Sequence, residues 1–171
     1  GTNASKSPII PISAQSGLNL DALISTIENN IKTPERDESK DTVMHVLRSF
    51  DINKPGNTIE QMKGGVIGGS LTQGIFKIGD EIEIKPGLIN EKKQSYDSIH
   101  TEITSLGTGA GTVDSVKPGG LVAIGTKLDP TLTRGDSLLG SVIGIPDSLP
   151  DNSNNAKLEV SLFDSAVGSA N

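Results

Sequence analysis

The chain has 171 residues, with 15 Lys and Arg against 21 Asp and Glu, a formal net charge of −6. That acidic balance argues against a broad nucleic-acid-binding surface, which needs clustered Lys and Arg to neutralise phosphates. With no Cys, two His (His45 and His100), no Trp, one Tyr and three Phe, the composition excludes disulfide frameworks and thiolate metal sites. It also gives His-centred catalysis and aromatic base-stacking platforms little to work with.

Taken in chain order, Ile9-Ile10-Pro11-Ile12 is a short, wholly apolar run, expected as a strand of an α/β unit buried on both faces. A polar loop follows, Ser13-Ala14-Gln15-Ser16-Gly17, and then a helix for which Asn19 is the expected N-cap and Asp21 a favourable first-turn charge. Leu20, Leu23, Ile24, Ile27 and Ile31 form one apolar stripe at helical spacing, and Pro34 stops the helix. One strand and one helix make no core of their own. Residues 1–33 are therefore read as the C-terminal end of a larger domain that the chain enters midway. Residues 34–41 are charged, contain no apolar side chain and read as an interdomain linker.

From Thr42 the pattern changes to strands, expected at 43–50, 65–71, 81–85, 99–106, 120–126 and 138–144. Turn chemistry separates them, as in Lys54-Pro55-Gly56, Ile78-Gly79-Asp80, Lys85-Pro86-Gly87 and Arg134-Gly135-Asp136. Glu81-Ile82-Glu83-Ile84 alternates strictly, which predicts one wet face and one core face. Short strands, 20 Gly and 9 Pro argue a mainly β chain with a small closed barrel over 42–148. Residues 146–157 form a polar loop, and Leu158, Val160 and Leu162 predict one further strand, cut short, in a segment spanning 149–171. No apolar run approaches the ~20 residues needed to span a bilayer and no signal-peptide core is present, so the chain reads as soluble, cytoplasmic and without a membrane partner.

Several motifs invite chemical readings. Gly64-Gly65-Val66-Ile67-Gly68-Gly69-Ser70 looks superficially like a phosphate loop, but the required Lys is missing and no helical pattern follows. Glycines that let a barrel strand bend are the better account. Gly107-Thr108-Gly109-Ala110-Gly111 has the wrong spacing for a dinucleotide fingerprint. Asn53-Lys54-Pro55-Gly56 begins like a guanine-specificity motif, yet Gly56 stands where the carboxylate belongs. No carboxylate pair and no Ser/His/Asp set stands out as catalytic. Asp51, Asp80, Glu81, Asp129 and Asp136 sit at strand ends or turns, where capping explains them, and His45 in the Val43–Leu47 run is read as a satisfied barrel residue.

Longer stretches carry a resemblance. Residues 48–56 (Arg-Ser-Phe-Asp-Ile-Asn-Lys-Pro-Gly) and 63–70 closely resemble the start of domain II in the gamma-subunit family of initiation factor 2. Residues 74–84 resemble the turn and strand shared by translational GTPase barrels, and 118–126 with 128–133 are again similar to the gamma family; Ser13-Ala14-Gln15 matches the family's last guanine-nucleotide motif. The resemblance runs from about Pro8 to Gly168 and looks more archaeal than eukaryotic. It implies a factor that, with GTP, carries methionyl initiator tRNA to the small ribosomal subunit, in complex with alpha and beta subunits. Residues 1–33 would then be the end of the GTP-binding domain, 42–148 domain II and 149–171 the start of domain III.

Under that resemblance Ser13, Ala14 and Gln15 would face guanine, Asp51, Asn53 and Lys54 the alpha subunit, and Arg48, Lys77, Lys127 and Arg134 the phosphates of tRNA. GTP or GDP with Mg would serve the whole protein. This chain lacks the phosphate loop, the switch motifs and an Asn-Lys-x-Asp motif, so no nucleotide binding or hydrolysis is expected of it alone. Other translational GTPases such as the selenocysteine-specific elongation factor share the barrel, and a non-enzymatic β-barrel binding module would leave the Ser-Ala-Gln loop unexplained. An acidic chain expected to hold tRNA is a tension that the sequence leaves open.

Overall fold

The computed structural model describes residues 3–90, 92, 95–153 and 155–161, in two compact units divided between Glu35 and Arg36. In the first unit, the helix α1 spans Leu20–Asn30 and ends as predicted, with the Ile31 amide donating to the Ile27 carbonyl at 2.8 Å. Its stripe is amphipathic, and Leu20, Ile24, Ile27 and Ile31 lie exposed. Two expectations need correcting. Ile9–Ile12 forms no strand and Ile9 is 94% exposed, because no strand among the unit's described residues offers it a ladder. Asn19 sits in the left-handed region (φ 58°) and its side chain accepts no helix-cap bond; its Nδ2 instead donates back to the Pro11 carbonyl at 2.9 Å.

The second unit is the barrel. Its strands are β1 (Val43–Phe50), β2 (Val66–Gln73), β3 (Phe76–Lys77), β4 (Glu81–Asn90), β5 (Ser95–Thr108), β6 (Gly111–Val113), β7 (Ser115–Val116), β8 (Leu121–Thr126) and β9 (Val142–Gly144). Six of them close a ring in the order β4-β9-β1-β2-β8-β5 and back to β4, every neighbour antiparallel. Closure removes most of the unpaired edge that an open sheet would leave. Alternation along the strands sends Met44, Val46, Ile67, Leu71, Ile82, Ile84, Ile103, Leu106, Ile124 and Ile143 inward. The short pair β3–β7 adds Phe76 and Val116 to the same core. Each such side chain contributes roughly 1.5–3 kcal/mol by leaving water.

The expected strands at 43–50 and 120–126 match to within one residue. β4 and β5 run longer than predicted, across a register shift between Ile84 and Leu88 where Pro86 and Gly87 interrupt the ladder. The expected strand at 138–144 is reduced to β9, because Arg134–Asp136 is a 3-10 turn and residues 137–140 are turns. Gly107–Gly111 is a tight hairpin, Thr108 pairing with Gly111.

Gly69 in β2 and Gly64 just before it answer to close approach more than to a bend, whereas a Cβ on Gly68 would meet nothing nearer than 3.7 Å. A Cβ on Gly69 would stand 2.0 Å from the His45 carbonyl oxygen, and one on Gly64 would stand 1.9 Å from that of Thr126. His45 itself is exposed on the outer face of β1, not within the barrel.

Glu83 is the other departure. The strict alternation at 81–84 predicts it wet, yet it is only 4% exposed. The segment after β9 folds over it: the Asp147 amide donates to its Oε2 at 3.3 Å, and Lys85 Nζ lies 3.6 Å from Oε1. Lys85 Nζ also donates to the carbonyls of Leu149 (3.1 Å) and Pro150 (3.3 Å). Residues 36–41, read as linker, likewise lie on the barrel, where the Asp37 carbonyl accepts from the Gly74 amide and Gln73 Nε2 donates to the Asp41 carbonyl. Leu158–Ser161 forms no strand and Leu158 and Val160 are exposed, whereas Leu162 and the residues to Gly168 lie outside the described residues.

Candidate functional site

The loop between β1 and β2 is built around Asn53. Asp51 Oδ1 accepts from both the amide and Nδ2 of Asn53, each at 2.8 Å, a side-chain turn of the kind Asp favours. Asn53 then behaves as a surrogate peptide group. Its Nδ2 donates to the Lys63 carbonyl at 2.8 Å and its Oδ1 accepts the Lys63 amide at 2.7 Å. One amide side chain thereby closes both ends of the loop. At the far end Lys54–Asn57 is a turn, the Asn57 amide donating to the Lys54 carbonyl at 3.2 Å, with Gly56 at φ 91°.

A second segment, from Leu128 to Leu138, is sewn to β1 beside that loop. Asp129 accepts the Thr131 amide at 2.9 Å, and the Thr133 hydroxyl, wholly buried, donates to the Phe50 carbonyl at 3.2 Å. Asp136 is held in the left-handed region (φ 59°), where its Oδ1 accepts Arg48 Nε at 2.8 Å and the Ser49 amide at 2.9 Å. The bond from Arg48, helped by the Ser49 amide, holds the Asp136 carboxyl below the usual carboxylate range. Ser49 Oγ accepts the Leu138 amide at 3.1 Å. The result is a cavity of about 500 Å³ whose walls include Phe50, Asn53, Lys54, Pro55, Met62 and Arg134.

A register shift between Val46 and Arg48 turns both Leu47 and Arg48 outward. With Phe50 and Leu121 they wall an apolar groove of about 550 Å³, floored by glycines of β2 and of the β5–β6 hairpin. Phe50 lines both hollows. This groove was not legible in the sequence, since it depends on the β1 shift and on glycines contributed by separate strands.

The predicted site residues are thus partly gathered and partly dispersed. Asp51, Asn53 and Lys54 share one wall and Arg134 joins them, whereas Arg48 is committed to Asp136. Lys127 is paired to Glu102 at 2.6 Å, and Lys77 stands exposed on β3 with its amide bound to Asp80 Oδ2 at 2.8 Å. The four cations proposed for tRNA do not share one site.

In the first unit, paired bonds of 3.2 Å between Ser13 and Leu18 close the polar loop and leave Ala14, Gln15 and Ser16 exposed at its tip. No protein group takes the amides of Ala14 or Gln15 among the described residues. Nor do the described residues contain a cluster of three His, Asp or Glu able to hold a metal, or a helix long and apolar enough to cross a membrane.

No family model matches the chain. Over 170 residues, 98% of its length, it is 54% identical to translation initiation factor 2 subunit gamma of Methanothermobacter thermautotrophicus. It is 51% identical over 168 residues to that of Archaeoglobus fulgidus and 52% over 170 to that of Pyrococcus furiosus. The chain spans about two fifths of the length of these relatives, 42%, 39% and 41%. Among solved structures, translation elongation factor SelB of Methanococcus maripaludis superposes with a TM-score of 0.62 at 25% identity, over 84% of this chain and 27% of that one. Its complex with the GTP analogue GPPNHP gives 0.61 over 86% and 28%. With half of its residues identical across almost its whole length, the chain belongs to the gamma-subunit family of translation initiation factor 2.

Proposed function

We propose that this chain is the docking portion of a GTP-dependent initiation factor that delivers methionyl initiator tRNA to the small ribosomal subunit in the cytoplasm, together with alpha and beta subunits. The observation that carries the reading is the Asn53-pinned loop. A long exposed connection held at both ends by a side-chain amide is preorganised, and such a surface loses little conformational freedom when a partner binds. Asp51, Asn53 and Lys54 form the alpha-subunit face in this reading, and the apolar groove beside Arg48 lies next to it for the tRNA end.

The Ser13–Gln15 loop supplies guanine contacts in the whole factor, where GTP or GDP with Mg is held mainly by motifs this sequence lacks. The free amides of Ala14 and Gln15 suit a carbonyl acceptor such as guanine O6. Identity near 50% to gamma subunits against 25% to SelB favours the initiation factor over the elongation factor.

The test is binding of the 171-residue chain to the alpha subunit of the same organism by titration calorimetry. Micromolar or tighter association is expected. No measurable binding at 100 µM would overturn the docking role. The same titration with GPPNHP is expected to give no heat of binding, and micromolar affinity there would sink the placing of nucleotide chemistry outside this chain.

A further inference from the structure

We infer that Lys54 and Arg134 together form a two-cation grip for a carboxylate-bearing segment of a protein partner, with Phe50, Pro55 and Met62 supplying the apolar floor between them. The inference rests on the alpha-subunit reading above and deepens it by naming the chemistry of the partner's contacting surface. It also moves Arg134 out of the set of tRNA contacts, because the fold brings it to the wall that holds Lys54.

The charge balance of that wall points to an anionic partner. Asp51, the carboxylate in that wall, is bound by the Asn53 amide and side chain, and Asp136, two residues beyond Arg134, is paired with Arg48 and the Ser49 amide. Lys54 and Arg134 are exposed and make no ion pair among the described residues. Two cations with no carboxylate partner of their own attract an anion from outside, and Arg offers a fork suited to a carboxylate.

The floor decides between protein and nucleic acid. Met62 is 50% and Phe50 37% exposed, beside Pro55. Two cations set in apolar surface and beside the Asp51 carboxylate fit a protein interface, where charge is sparse and apolar contact supplies the core. A phosphate backbone asks for a dense run of cations instead, and the chain as a whole is acidic. The grip is also fixed in place from both sides, Lys54 by the Asn53 closure and Arg134 by the Thr133 and Asp136 bonds to β1.

The experiment titrates the 171-residue chain and its K54A, R134A and K54A/R134A variants with the alpha subunit at 50 mM and 300 mM salt, and repeats the series with initiator tRNA. The expected result is a loss of about 2- to 5-fold in alpha affinity for each single variant. The double variant should also lose most of the salt dependence, with unfolding midpoints unchanged. Alpha binding by the parent chain that the double variant leaves unaltered overturns the grip while sparing the docking role. An effect of R134A on tRNA binding and none on alpha binding overturns it in favour of a nucleic-acid contact. Absence of alpha binding by the parent chain overturns both readings.

Discussion

Arg48 and Asp136 stand 88 residues apart in sequence, yet Nε lies 2.8 Å from Oδ1 and 3.1 Å from Oδ2. This pair, with the Ser49 amide on the same carboxylate, fastens the segment after β8 to β1 and thereby positions Arg134. Replacing Asp136 by Ala removes the acceptor and also strains the backbone, since φ is 59° there and Asn or Gly tolerate that region better. D136A is expected to lower the unfolding midpoint and to accelerate hydrogen exchange at Ser49 and Leu138, and D136N to do so less. Equal effects of the two would show that backbone conformation contributes nothing.

The Glu83 cluster yields a pH prediction. Burial works to raise the carboxyl, but the Ser98 hydroxyl, the Lys85 ammonium, the Asp147 amide and His100 outweigh it and pull it below the ordinary value. A depressed carboxyl stabilises the fold above its unfolded pKa, and that stability is lost as pH falls through the folded value. The 171-residue chain should therefore lose stability from about pH 5 downwards more steeply than E83Q, measured by urea midpoints across pH. Asp151 and the exposed His100 face the same cluster, so H100A is the control that isolates Glu83.

Removing the cation is the harsher change. K85M keeps an apolar stem but removes the ammonium that pairs with the buried Glu83 carboxylate and donates to the Leu149 and Pro150 carbonyls. The expected cost is about 2 kcal/mol at neutral pH. The segment 147–152 should exchange its amides faster while Ile84 and Ile143 in the core stay protected; a uniform change across the barrel would contradict this local reading.

These sites separate what local pattern encodes from what it does not. Strand alternation places Ile82 and Ile84 in the core because period two needs only neighbours in sequence. The same rule fails for Glu83, since its cover comes from residues more than sixty positions later and no local pattern reports it. Turn chemistry at Asp51, Asp80 and Asp129 is likewise local, each carboxylate taking a main-chain amide two or three residues away, whereas Asp136 takes that of Ser49 across the fold. What escaped was the partner across the fold: Arg48 for Asp136, Lys63 for Asn53, and Arg134 beside Lys54. At the N-terminus the pattern predicts a buried strand and a covered helix stripe, and both stand exposed, as a pattern does when its complement is not among the described residues.

Gly69 offers a test of the barrel's close packing. A Cβ there would meet the His45 carbonyl oxygen at 2.0 Å and Met44 Cε at 2.8 Å, and the former is backbone, which cannot step aside. G69A is expected to cost about 3 kcal/mol by forcing β1 and β2 apart. Ala at Gly120, where nothing lies within 4 Å, should be close to neutral. Thermal unfolding of the two variants in parallel distinguishes steric exclusion from a general penalty for replacing glycine.

Asn53 provides the most local of these tests. Its side chain makes three hydrogen bonds within the loop, one to Asp51 and two to the main chain of Lys63, and no isostere reproduces all of them. N53A removes the set together and leaves the Lys63 amide without its acceptor. N53D retains the acceptor, loses the donor and sets a second negative charge against Asp51. Both variants should leave the barrel's global stability within about 1 kcal/mol, because the loop lies outside the core. Exchange at the Lys63 amide should nonetheless rise about 10- to 100-fold, the span that corresponds to losing one or two net hydrogen bonds. If alpha-subunit affinity falls in N53A more at low salt than at high, Asn53 acts by positioning the Lys54 charge, whose ionic contact is screened as salt rises. A loss equal at both salt concentrations would place the uncharged Asn53 amide in a contact of its own and contradict the positioning role.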